Sequence, residues 1–231
     1  MKLSALLQDI DILQNTVPGD PDIGEVRYDS RQVQPGDLFV AIRGYATDGH
    51  QFIASALEKG AAAVVCEEAP DGVPAIVVAS SRRALAQIGG NRFGHPSRKL
   101  TMVGVTGTNG KTTTTYLLKA MLEGVLGARV GLIGTNQNMI GEEVLPAHRT
   151  TPESWELHRL FAHMVEAGCT HCVMEVSSHS LVLDRVYGID FAVGVFTNLT
   201  QDHLDFHHTM EEYRKAKAIL FTMCDKGIIN M

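Results

Sequence analysis

No stretch of this 231-residue chain approaches the ~20 consecutive apolar residues that a membrane-spanning helix needs. The first residues, MKLSALLQDIDILQ, offer a lysine and several leucines, but Asp9 and Asp11 interrupt any signal-type apolar core. Basic residues are outnumbered, 20 Lys and Arg against 26 Asp and Glu. The net charge of −6 excludes a general nucleic-acid binder, which presents a basic face. The four cysteines show no disulfide spacing. Cys169-Thr170-His171-Cys172 is formally C-x-x-C, yet no second pair completes a zinc site, and these residues are expected as buried thiols. What is present is an ordinary composition, 45% hydrophobic and 20% charged, that fits a cytoplasmic protein of one large or two small domains.

The first hundred residues read as a small α/β unit. Helical spacing covers 3–7, 49–59 and 82–93, and short apolar strands cover 25–28, 38–42, 61–66 and 75–79. Gly94-His95-Pro96-Ser97 is turn chemistry and marks a boundary between a domain at 1–97 and one at 98–231. Beyond it the alternation lengthens, with strands at 101–106, 129–133, 171–176 and 191–198. Helices are predicted at 111–123, 152–167 and 210–221, the second with Thr151 as cap and Pro152 as first residue. Strands apolar on both faces belong to a mostly parallel sheet covered by helices. The expected fold is therefore α/β, a small unit followed by a doubly wound nucleotide-binding domain with ligands beyond the strands' carboxyl ends. The final Gly227-Ile228-Ile229-Asn230-Met231 reads as the start of another buried strand, as in a piece of a longer chain.

Val103 to Thr113, VGVTGTNGKTT, carries the most chemistry. A β-branched strand runs into a glycine loop, a lysine, and hydroxyls that open a helix. Such a loop turns backbone N–H groups and a helix N-terminus toward an anion. Thr106, Gly107, Thr108, Asn109, Gly110, Lys111, Thr112 and Thr113 are the candidate triphosphate site, Lys111 reaching the outer phosphates and Thr112 a magnesium ion. The strict pattern wants glycine five residues before Gly110; Val105 stands there, and Gly104 is one place early.

Glu175 ends a buried strand on the same rim. It can hold magnesium, or it can cap nearby backbone N–H groups. The next strand runs into Asn198-Leu199-Thr200-Gln201-Asp202-His203-Leu204-Asp205-Phe206-His207-His208, a polar loop at a sheet rim. His203 and His207 have i, i+4 spacing without the glutamate of a zinc protease, and singly each reads as a hydrogen-bonded surface residue. Lys215 and Lys217 share a helix with Glu211 and Glu212, and residue chemistry alone places both lysines on a solvated face.

Five ordered segments, 29–53 (DSRQVQPGDLFVAIRGYATDGHQFI), 104–115 (GVTGTNGKTTTT), 149–154 (RTTPES), 174–181 (MEVSSHSL) and 196–221 (FTNLTQDHLDFHHTMEEYRKAKAILF), resemble the Mur ligases. The phosphate loop alone would fit folylpolyglutamate synthase as well; EVSSH and NLTQDHLDFH are similar to the members that add a diamino acid to UDP-MurNAc-L-Ala-D-Glu in peptidoglycan synthesis. The resemblance implies ATP-dependent amide-bond formation: the D-Glu γ-carboxylate is phosphorylated to an acyl phosphate, then attacked by the incoming amine. It implies Lys111, Lys217 and His203 as catalytic groups, and Thr112, Glu175, His203 and Lys217 as magnesium ligands, with Lys217 carboxylated by carbon dioxide. It implies Tyr28, Ser30, Tyr45, Ala46 and Thr47 on the uridine side of the substrate, and Thr150, Thr151, Ser177 and Arg185 on the muramoyl-peptide side. Arg149 and Leu183 stand where some members have Asn and Gln. The family continues into a C-terminal domain that closes over ATP and selects the amino acid, so little ligase activity is expected of these 231 residues alone. Open at this point are addition of meso-diaminopimelate or of lysine, a different ligase of the family, and a non-catalytic module that binds the UDP-sugar peptide.

Overall fold

A computed structural model describes residues 1–44 and 47–230. The chain forms two compact units, Met1–Gly94 and His95–Met231. In the first, α1 (Leu3–Leu6) and β1 (Ile12–Asn15) precede β2 (Val26–Arg27) and β3 (Leu38–Val40). Then follow α2 (Ile53–Glu58), β4 (Ala63–Cys66), β5 (Ala75–Val78) and α3 (Ser81–Phe93). The strands pair in the order β1-β5-β4-β3-β2, parallel throughout except for β1, which runs antiparallel to β5. Leu38, Phe39, Val40, Ala63, Val64 and Val65 are fully buried, as continuous apolar runs covered on both faces should be. The helix expected at 49–59 opens as a 3-10 turn, Gly49–Phe52, with Asp48 accepting from the His50 N–H, before α2 begins.

The second unit strings β6 (Thr101–Thr106), α4 (Lys111–Leu126), β7 (Val130–Ile133), β8 (Gln137–Ile140) and β9 (Glu143–Pro146). It continues through α5 (Ser154–Glu166), β10 (His171–Glu175), α6 (Ser178–Val182), β11 (Phe191–Phe196), α7 (Leu204–His207), α8 (Met210–Ala218) and β12 (Cys224–Ile229). Its sheet order is β12-β11-β6-β10-β7-β8-β9; the first five strands are parallel and the β8–β9 hairpin adds an antiparallel end.

Alternation along the central strands separates two cores. Met102, Cys172 and Met174 point to the side packed by Leu157 and Phe161 of α5 and by Phe191 and Leu220. Val103, Val105 and Val173 point to the other, packed by Leu118 and Leu122 of α4. Cys169 and Cys172 lie in the first core, where burial raises both thiol pKa values. Gly104 has a packing role: a Cβ there would sit 2.9 Å from Phe191 and 3.1 Å from Leu220. Val105, fully buried, belongs to the strand rather than the loop.

The cap expected at Thr151 is not formed. α5 starts at Ser154 with Glu153 in the cap position and no side-chain cap bond, because the Thr151 hydroxyl is engaged elsewhere.

Candidate active site

β6 lies between β10 and β11, with Val105 opposite Glu175 and Thr106 opposite Phe196. The three carboxyl ends therefore open on one rim, where the order of strand addition reverses. From β6 the chain turns through Gly107 (φ +145°) and Gly110 (φ +83°) into α4. A Cβ on Gly107 would collide with the Thr197 hydroxyl, so only glycine lets the two loops meet.

Lys111 Nζ donates to the carbonyls of Gly107 (3.0 Å) and Thr108 (2.9 Å). Burial lowers its pKa, partly offset by Glu175 and Asp202. Lys217 Nζ donates to the same Gly107 carbonyl at 2.8 Å and lies 4.3 Å from the centre of the Tyr213 ring. Residue chemistry alone had it solvated; it is 2% exposed, and only Lys215 occupies the wet face, paired with Glu212. Desolvation, then the nearby Lys111 charge, brings the Lys217 pKa down to about 7.

Glu175 is 1% exposed and its carboxylate accepts three hydrogen bonds. Oε1 accepts from the Thr112 hydroxyl and the Thr135 N–H, both at 2.9 Å, and Oε2 from the Thr135 hydroxyl at 3.1 Å. Thr135 is a site residue that the sequence reading missed; its signal is its place just beyond β7 on the same rim, behind Gly134. Its hydroxyl oxygen lies 3.0 Å from that of Thr150. Thr151 donates to the Glu175 carbonyl at 2.9 Å and accepts from the Ser177 N–H at 3.1 Å, tying the 149–151 segment to the end of β10. Arg185 donates to the Thr151 carbonyl and pairs with the buried Glu153 at 3.0 Å, which also holds Arg149 at 2.7 Å. Thr150, Thr151, Ser177 and Arg185 are thus brought together with Glu175.

His203 sits at φ +51°, with its ring 4.9 Å from that of His179 and 6.2 Å from Tyr213. His207 is buried, its Nε2 2.8 Å from the Ser178 hydroxyl, and burial followed by the His179 charge lowers its pKa to about 4. Among the described residues no group of three or more His, Cys, Asp or Glu side chains is placed to hold a metal ion. The Thr112 and Glu175 oxygens, 2.9 Å apart beside the loop, are nonetheless a donor pair that suits magnesium.

Of the loop residues, Thr106 is buried, and the Thr108 N–H donates to the Asn198 carbonyl. The Asn109 N–H donates to the Asn198 side chain. The amides of Gly110 to Thr113, at the start of α4, remain to face an anion.

In the first unit, Ser30 is buried in a 3-10 turn capped by Asp29, and its carbonyl accepts from Lys59 at 2.7 Å. Tyr28 precedes that turn. The Thr47 carbonyl accepts from the Gly44 N–H, and Tyr45 and Ala46 lie outside the described residues.

The model of the Mur ligase middle domain matches residues 105–231. The chain belongs to the Mur ligase family. The Mur ligase family catalytic-domain model matches residues 22–92. A UDP-N-acetylmuramoyl-L-alanyl-D-glutamate–2,6-diaminopimelate ligase of Clostridium acetobutylicum is 52% identical over 236 residues, covering 100% of this chain and 48% of the relative. The protein of the same name from Chlorobaculum tepidum is 56% identical over 200 residues, 85% of this chain and 39% of its own. A solved structure of a ligase of that name superposes with a TM-score of 0.79 at 28% identity, covering 100% of this chain and 47% of the other. The MurF ligase of Thermotoga maritima, solved in complex with ADP, superposes at 0.57 with 26% identity, covering 89% and 45%. This Mur ligase chain spans about half the length of the relatives it matches. Among its described residues no helix is long and apolar enough to cross a membrane.

Proposed function

We propose that this chain carries the UDP-sugar-binding part, residues 1–97, and the ATP-binding part, 98–231, of a cytoplasmic ligase. That ligase joins meso-diaminopimelate to UDP-MurNAc-L-Ala-D-Glu at the expense of ATP. The names of relatives about half identical to it support the substrate and the amino acid. The observation that carries the chemistry is the convergence of two lysine amines, the half-buried Lys111 and the buried Lys217, on the Gly107 carbonyl, beside a helix N-terminus and the Thr112–Glu175 pair.

Lys111 and the amides of Gly110 to Thr113 bind and orient the phosphate oxygens, and their positive charge meets the charge that builds as the γ-phosphoryl group passes to the D-Glu carboxylate. Thr150, Thr151, Ser177 and Arg185 hold the muramoyl-peptide end, with Ser30 and its neighbours on the uridine end. Magnesium, when bound by Thr112, Glu175, His203 and carboxylated Lys217, supplies charge neutralisation at the phosphates. The lowered pKa of Lys217 supports its carboxylation, because only a neutral amine adds to carbon dioxide.

Separate calorimetric titrations with ATP and with UDP-MurNAc-L-Ala-D-Glu, each with magnesium, test the reading. Binding of both is expected. UDP-sugar binding without ATP binding would leave a non-catalytic binding module instead.

A further inference from the structure

The segment that follows β11 holds the phosphate loop from outside. Asn198 grips Asn109 in both directions, Oδ1 accepting from its N–H at 3.0 Å and Nδ2 donating to its carbonyl at 3.1 Å. The Asn198 carbonyl accepts from the Thr108 N–H at 2.9 Å. Thr197 donates its hydroxyl to the Asn109 carbonyl at 2.6 Å, and the Thr108 hydroxyl accepts from the Thr200 N–H at 3.0 Å. Val105, which stands where the strict motif has its first glycine, is locked in the strand core, so the turn rests on Gly107 and Gly110.

We propose that residues 197–200, with Asn198 at their centre, are the positioning element of the phosphate loop, and that they set how tightly the loop takes a nucleoside triphosphate. In a self-contained glycine loop, successive N–H groups wrap the phosphates. Here the Thr108 and Asn109 amides are committed to the clamp, and the Gly110 to Thr113 amides are left to bind. Ordering a loop residue costs conformational entropy, so a clamp that orders Thr108 and Asn109 beforehand removes that cost from nucleotide binding. The same segment leads to Asp202 and His203, so the clamp also fixes where that loop starts relative to the phosphates. The proposal rests on reading the loop as an ATP site.

Amide hydrogen exchange at Thr108 and Asn109, and calorimetric MgATP affinity, measured on wild type, Asn198→Ala and the isosteric Asn198→Asp, form the test. Both wild-type amides are expected to be protected, and the Asn109 amide, which loses its side-chain acceptor, to exchange at least tenfold faster in Asn198→Ala. MgATP affinity is expected to fall about tenfold, as for the loss of one to two neutral hydrogen bonds. Asn198→Asp, which places a carboxylate oxygen against the Asn109 carbonyl, is expected to lose as much, and it carries the comparison where Asn198→Ala does not fold. Unprotected amides in the wild type, or ATP affinity that ignores position 198 in a folded variant, overturn the proposal. Protected amides in a wild type that binds no ATP overturn the functional reading and the affinity claim with it.

Discussion

Replacing Lys217 by methionine should remove a pH dependence of stability that the amine creates. Its pKa drops from the ordinary 10.5 to about 7 on folding, chiefly through burial. Between those values the unfolded chain holds a proton that the folded chain does not, so stability rises with pH across this window and is lost as pH falls through 7. At about 1.4 kcal/mol per pH unit, the full window corresponds to at most ~5 kcal/mol. Solvent relaxation around the ammonium reduces it, and at least ~2 kcal/mol should survive for a group this buried. The Gly107 carbonyl is not orphaned in Lys217→Met, because Lys111 still donates to it. Urea unfolding of both proteins at pH 6.5, 7.5, 8.5 and 9.5, in buffer freed of carbon dioxide, gives the difference free of groups common to both. The wild type should gain on Lys217→Met steadily with pH. Parallel stability curves would refute the argument that this amine is desolvated.

Thr135→Val leaves the backbone N–H on Glu175 but removes the hydroxyl bond to Oε2; a hydrogen bond to a buried carboxylate should cost about 1.5–3 kcal/mol by urea unfolding, and a loss under 0.5 kcal/mol would contradict it. Gly104→Ala drives a methyl group into Phe191 and Leu220 and should cost about 1–3 kcal/mol, read as a fall in the thermal midpoint, with an unchanged midpoint as the contrary result.

The central sheet was legible because its strands are near-continuous apolar runs, and the phosphate loop because glycine, lysine and threonine follow a strand. Four features were not legible. Lys217 looks solvated beside Glu211, Glu212 and Lys215, and its burial becomes visible only when Gly107, 110 residues away, is brought to it. Thr151 has the chemistry of a helix cap, but its hydroxyl is better used on the ends of β10 and α6. β8 and β9, QNMI and EVLP, alternate too weakly to announce a hairpin; the cue was Gly141, at φ +60° in the two-residue turn. The exposed, half-polar edge strand β1 was likewise hidden.

The central claim is that a triphosphate sits on the start of α4, held by Lys111 and the Gly110 to Thr113 amides. Titrating MgATP into isotope-labelled chain while following amide chemical shifts tests it most directly. The largest shifts should fall on Gly110, Lys111, Thr112 and Thr113, and Lys111→Ala should abolish them. Absent shifts, or shifts centred away from this loop, would contradict the account.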